Sequence, residues 1–151
     1  MSPFACWISR QRAVLRLLTV THVALYTRSG GRLGARWRGL GFLLLHTTGA
    51  RTGLTRTTPL LYLDDRAGET GALVIVGSNG GRDSHPAWVH NLRSTPACAV
   101  TVGREQQRVL ARFASPAERD RLWPLLDRLY PYHAYRAHTQ RQIEIVLLAA
   151  V

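Results

Sequence analysis

Lysine is missing altogether: all 20 basic residues of this 151-residue chain are Arg, set against nine acidic ones for a formal net charge of +11. Arg-only usage reflects either GC-rich coding or a functional demand, but the field it creates attracts anions in both cases. Nucleic acid, an anionic membrane surface and a polyanionic cofactor all fit that field, and composition does not choose among them. Cysteine is scarce as well. Cys6 and Cys98 form no CxxC pair and follow no secretory leader, so two unpaired thiols in a reducing cytoplasm are expected. No long apolar run occurs. Residues 13–26 are apolar-rich but broken by Arg16, Thr19 and His22, too short and too polar to span a bilayer.

The common nucleotide and hydrolase motifs are absent too. The chain has no GxGxxG after a strand, no GxxxxGK[ST], no HExxH and no GxSxG. Rossmann-type nicotinamide binding, nucleotide hydrolysis and zinc proteolysis therefore lose their usual sequence support. His85 and His90 are five apart around a proline, a poor pair of metal ligands without a third, and no metal is expected. No Arg-rich helix or nucleic-acid motif accompanies the charge, so a basic nucleic-acid-binding module is a rival reading without a sequence signature.

What is present is a hydrophobic fraction of 46%, ample for the core of one domain. An opening helix over residues 1–30, broken by Gly30, Gly31 and Gly34, should pack on the domain or lie at a membrane surface, leaving 31–151 as the domain proper. Residues 40–48 read as a buried strand, 56–63 as its hairpin partner and 72–77 as a third strand. Pro86 opens a short helix carrying Trp88, His90 and Asn91. Residues 97–102 and 104–113 form another strand pair around Gly103. Ser115-Pro116-Ala117-Glu118 is a capping box with proline at the first helical position. Leu122, Leu125, Leu126 and Leu129 follow at helical spacing, and Pro124 should bend or restart that helix. Residues 143–149 make a last strand. Six strands joined mostly by short turns suggest a mainly β fold, an antiparallel barrel with helices outside.

Three segments carry candidate chemistry. Thr47-Thr48-Gly49-Ala50-Arg51-Thr52-Gly53, continuing through Arg56-Thr57-Thr58-Pro59-Leu60-Leu61-Tyr62, combines glycines, hydroxyls and two Arg. It is either a Thr-rich hairpin or a phosphate cradle. Ser78-Asn79-Gly80-Gly81 and His85-Pro86-Ala87-Trp88-Val89-His90-Asn91-Leu92 could let a flat ring approach the backbone beside Trp88, or Trp88 could be plain core. Tyr130-Pro131-Tyr132-His133-Ala134-Tyr135 places three phenols where they could line a pocket or cap the core.

In order, these segments resemble the deazaflavin-dependent nitroreductase family, also called F-420-dependent quinone reductases, over residues 26–148. The resemblance implies a six-stranded antiparallel split β-barrel like those that bind FMN, and hydride transfer from reduced coenzyme F-420 to a small-molecule electron acceptor. That acceptor would be a flat electrophile such as a quinone, a nitroaromatic or an activated enone. It also implies roles. Arg51, Thr52 and Arg56, with Thr48, Gly49, Gly53, Thr58 and Pro59, would hold the cofactor's phosphate and acidic tail. Ser78, Asn79, Gly80, Trp88 and Asn91 would surround the deazaflavin. Tyr62, Tyr130, Tyr132 and Tyr135 would line the substrate pocket, with Tyr132, Tyr135 or Ser78 steadying charge or giving a proton.

Three departures stand out: Ala50 and Asn79 occupy places where the family commonly has basic residues, and only Pro131 separates Tyr130 from Tyr132, one residue fewer than usual. An FMN oxidoreductase on the same barrel and a non-catalytic cofactor carrier are the alternatives. Peripheral membrane contact would run through the N-terminal helix, and nothing in the sequence sets the oligomeric state.

Overall fold

A computed structural model describes residues 12–37 and 40–151. Cys6, Arg10 and Arg38 lie outside the described residues. Helix α1 (Arg12–Ser29) leads into a two-residue strand β1 (Arg36–Trp37), then β2 (Leu40–Thr48), β3 (Thr55–Asp65) and β4 (Ala72–Val76). A short turn of 3-10 helix at Asn79–Gly81 precedes α2 (Ala87–Ser94), β5 (Ala97–Val102), β6 (Glu105–Phe113), α3 (Pro116–Leu129), α4 (Tyr132–Arg136) and β7 (Ile145–Ala150).

All strand pairs are antiparallel, in the order β1-β2-β3-β4-β7-β6-β5, and β5 returns to pair with β2. That last pairing, Leu44 with Thr101 and Leu45 with Val100, closes six strands into a barrel. The expected architecture is therefore the observed one. The interior holds Leu43, Leu45, Leu73, Ile75, Val100, Val109, Val146 and Leu148, and α2 plugs it with Trp88, Val89 and Leu92. A second core lies between β4, β7 and α3, where Val74, Val76, Ile145 and Leu147 meet Leu122, Leu126 and Tyr132. Strand β4 is buried along its whole length, which explains its unbroken Ala-Leu-Val-Ile-Val sequence: one face fills the barrel and the other meets the helices.

The capping box at α3 forms as read. Ser115 Oγ accepts from Glu118 N, Glu118 Oε2 accepts from Ser115 N, and Pro116 opens the helix. Arg112 grips the same carboxylate with two bonds, holding the Glu118 carboxyl down to about 2. Of the two outcomes expected at Pro124, a bend or a restart, the restart does not occur: α3 runs as one helix to Leu129. The one bond it forgoes would end on Asp120, an exposed residue whose carbonyl can bond water instead. Two elements had no sequence reading, β1 and α4.

Helix α1 is tied to the barrel by Tyr26, which is fully buried. Its hydroxyl accepts from Gly103 N at 2.7 Å and faces two carbonyls as donor, Phe42 O at 3.1 Å and Thr101 O at 3.3 Å. Beside it the chain after α1 crosses the β5–β6 turn so closely that a Cβ on Gly31 would stand 2.6 Å from Gly103 Cα. We expect Tyr26→Phe to cost about 0.5–1.5 kcal/mol, because the half-buried Gly103 N–H would lose its phenol acceptor. Urea unfolding measures this, and an unchanged midpoint would remove the phenol from the list of tethers.

Candidate active site

Two cavities open side by side on the barrel and share Thr58 and Trp88. The larger, about 850 Å³, is lined by the 49–52 turn, the start of β3 from Thr55 to Thr58, His85, and Ala87, Trp88, His90 and Asn91 of α2. The smaller, about 490 Å³, is walled by Leu40, Phe42, Pro59, Leu60, Leu61 and Val76, by Ser78, Asn79 and Gly80, and by Tyr130, Tyr132 and Tyr135. Three segments distant in sequence thus meet at one place.

The larger cavity has the donor set of an anion site. Arg51, Arg56, His85, His90 and the hydroxyls of Thr52, Thr55, Thr57 and Thr58 line it, and no carboxylate does. Arg51 and Arg56 are exposed, and neither has a carboxylate partner among the described residues. The turn itself closes tightly: Gly49 O accepts from Gly53 N at 2.7 Å, and a Cβ on Gly49 would stand 2.7 Å from Thr52 Oγ1. These residues suit a phosphate or carboxylate chain, and the apolar aromatic walls of the second cavity suit a flat ring system.

Asn91 lines the larger cavity and also has a structural task. It is buried at 7% exposure, its Oδ1 accepts from Ala50 N at 2.9 Å, and its Nδ2 donates to Thr47 Oγ1 at 3.0 Å. Both ends of the amide are used to pin α2 against the 47–50 turn. Asn79 adopts φ +48°, and its Nδ2 donates to Ser84 O at 2.9 Å, so it shapes its own loop.

The tyrosines separate into two kinds. Tyr130 and Tyr135 stack with ring centroids 5.9 Å apart, and their hydroxyls are 3.0 Å apart, one donating to the other. Tyr132 is only 4% exposed, packs in the second core, and burial followed by the neighbouring Tyr130 pushes its phenol well above the ordinary value. The short spacing is absorbed by α4, which begins at Tyr132 directly after Pro131 and brings Tyr135 round three residues later.

Tyr62 lines neither cavity. Its ring lies against Gly41 and packs, like its same-face neighbour Leu60, on the barrel core, further along β3 than the stretch from Thr58 to Leu61 that borders the smaller cavity. Thr48 and Gly53 also stand outside both linings. His85 and His90 belong to the larger cavity, their rings 5.9 Å apart, although their spacing had suggested only a failed metal pair. No group of three metal-ligating side chains occurs among the described residues.

The model for the F420H2-dependent quinone reductase family matches residues 18–150. The chain belongs to that family. It is similar to an F420H2-dependent quinone reductase of Mycobacterium tuberculosis, 39% identical over 147 residues that cover 94% of this chain and 95% of that protein. A solved F420H2-dependent reductase is 32% identical, with a TM-score of 0.62 over 71% of this chain and 92% of its own. A solved domain-swapped dimer is 28% identical, with a TM-score of 0.65 over 89% and 96%. The haem-storage protein of Vibrio cholerae, at 11% identity and a TM-score of 0.51 over 73% and 81%, shares the barrel alone.

For this reductase, coenzyme F-420 is the cofactor that the family implies, and the residues present fit it. An anionic tail would meet the Arg and Thr side chains, and a ring would meet Trp88 and the tyrosine-walled space. Asn91→Ala should destabilise the fold by about 1–3 kcal/mol, chiefly by leaving the buried Thr47 hydroxyl without its Asn91 partner. Denaturant titration measures that. An unchanged midpoint would mean that the turn does not need this brace.

Proposed function

We propose that this reductase passes hydride from reduced coenzyme F-420 to a quinone, a nitroaromatic or an activated enone. The observation that carries the proposal is the pairing of a carboxylate-free, Arg-lined cavity with an apolar, tyrosine-walled one, joined at Thr58 and Trp88. When bound, the reduced deazaflavin supplies the hydride. The chain supplies position, exclusion of water and a place for charge.

In this reading Arg51, Thr52 and Arg56 hold the phosphate and acidic tail, with Gly49 and Gly53 shaping the turn. Thr58, Pro59, Ser78, Asn79, Gly80 and Trp88 border the ring, and Asn91 braces that border. Negative charge arriving on an acceptor oxygen is steadied by a hydroxyl of the Tyr130–Tyr135 pair or by Ser78. Tyr132 serves as wall. Its raised pKa and near-complete burial suit packing better than proton delivery.

The same proposal sets the enzyme in a reducing cytoplasm, where half-buried Cys98 stays an inert thiol because burial pushes it up to about 11. A peripheral membrane contact is supported by one observation. Leu17, Leu18, Val20 and Leu25 are exposed along α1, flanked by Arg16 and Arg28, as suits an anionic surface. No helix among the described residues is long and apolar enough to cross a membrane.

Quenching of F-420 fluorescence on titration tests the cofactor. F-420 should bind at least tenfold more tightly than FMN, which has one phosphate and no acidic tail; FMN winning by that margin would overturn the reading. Arg51→Ala should weaken F-420 binding by about 1.5–3 kcal/mol, the usual worth of a charge-assisted bond, with little change in turnover at saturation. Unchanged affinity would return the turn to an ordinary hairpin. Tyr135→Phe should lower kcat by roughly 10²–10⁴-fold at unaltered cofactor affinity if its hydroxyl delivers the proton. Tyr132→Phe should be close to silent. A parent rate in Tyr135→Phe would remove that hydroxyl from proton delivery.

A further inference from the structure

Arg141 stands in the 137–144 stretch between α4 and β7, outside every segment singled out by sequence. It is half-buried, and its guanidinium makes five hydrogen bonds. Nε donates to Arg82 O at 2.8 Å, and Nη2 donates to Gly77 O at 3.0 Å and Ser78 O at 2.9 Å. Nη1 donates to Gln142 O at 3.3 Å and to His85 Nδ1 at 3.2 Å. A guanidinium has five N–H groups and no acceptor, so this set uses all of them. None of the five goes to a carboxylate. The charge is spent on main-chain carbonyls and one imidazole.

Two consequences follow from chemistry alone. First, the 77–82 loop, which brings Ser78, Asn79 and Gly80 to the smaller cavity, is held from one point at both its ends. Second, an Arg N–H can only donate, so His85 Nδ1 must be an unprotonated acceptor. The imidazole is then neutral, with its proton on Nε2, and a cation at 3.2 Å opposes a second proton. The groups around His85 act in the same sense on balance. Burial, Arg141, Arg93 and His90 all lower its pKa, and only Glu144 opposes them. His85 lines the larger cavity beside Arg51 and Arg56.

We propose that Arg141 is a positioning residue that couples the two cavities, fixing the Ser78 loop and locking His85 as the neutral Nε2–H tautomer that offers one uncharged donor to the anionic end of the ligand. The ligand's identity rests on the function proposed above; the tautomer does not. Lysine could not replace this residue, since three ammonium donors cannot reach five acceptors spread around a planar fork.

Long-range ¹H–¹⁵N spectra of the labelled chain without cofactor, recorded from pH 5 to 8, test the lock directly. We expect the Nε2–H pattern for His85 and a titration midpoint below the ordinary imidazole value of about 6.5. An Nδ1–H pattern, or a midpoint at or above that value, overturns the proposal without any variant. In Arg141→Gln, with folding checked by the same spectra, the His85 midpoint should rise and the Kd for F-420, read by fluorescence quenching, should increase three- to tenfold. A variant that keeps both the His85 midpoint and the affinity of the parent overturns the positioning role. If the parent chain shows the Nε2–H pattern yet does not quench F-420, the lock stands and the cofactor reading falls.

Discussion

Strand β2 is hydrogen-bonded along both edges, to β3 on one side and β5 on the other, and the site depends on that closure. Without it the sheet would end in two open edges, and the turn after β2 would not face α2. Side chains reinforce the seam from outside. His46 Nδ1 lies 3.0 Å from Thr57 Oγ1 on β3, and its Nε2 lies 2.8 Å from Thr101 Oγ1 on β5, so one imidazole spans three strands. Burial lowers its pKa, which keeps the ring neutral and avoids placing another cation under a surface already short of carboxylates. From the inner face Leu43 and Leu45 reach into the core, and Thr47 meets Asn91. Closure, core and brace all come from alternate residues of a single nine-residue strand.

The distribution of charge matters more than its excess. Six of the nine carboxylates are engaged elsewhere: Asp64, Asp65 and Glu69 around the β3–β4 turn, and Glu118, Asp127 and Glu144 around α3 and β7. Their partners Arg66, Arg93, Arg112, Arg121 and Arg136 are correspondingly tied to structure. Most of these pairs are partly exposed and worth little individually. Their effect on the site is by subtraction, since they leave the end of the barrel that bears Arg51 and Arg56 without compensating negative charge. The larger cavity therefore keeps its cationic side chains uncompensated, as suits an anionic ligand.

Much of this was legible in the sequence because the signals are local. The apolar run at Leu40–Thr48, the strand pair either side of Gly103 and the Ser115–Glu118 capping box each contain their own evidence, and the elements formed within a residue or two of where they were read. The residues that escaped are those whose roles exist only across the fold. Tyr62 belongs to the same motif as Thr58 and shares its face of β3, yet it lies four residues further along the strand, against Gly41 and the core and beyond the pocket lining. Asn91 lines the larger cavity, and its amide also holds a turn more than forty residues away, a second task that no local pattern announces. Arg141 and Tyr26 had no pattern to announce them, since a lone Arg in a polar stretch and a Tyr at the end of a helix are common. Helix α4 is too short for periodicity to reveal.

The two cavities divide the work of binding in a way that the short helix α2 makes mechanical. Trp88, at their junction, and Asn91, clasping the anion turn, are three residues apart and so lie on one side of that helix. Asn91 thereby ties the 47–50 turn to the helix that presents Trp88 to the second cavity. Arg141 imposes a similar relation from the opposite side, through His85 and the Ser78 loop. A charged tail bound far from the reacting atoms would then do more than add affinity. It would hold in register the two surfaces between which a flat ring must lie, and contacts remote from the chemistry would be spent on orientation at the reacting centre.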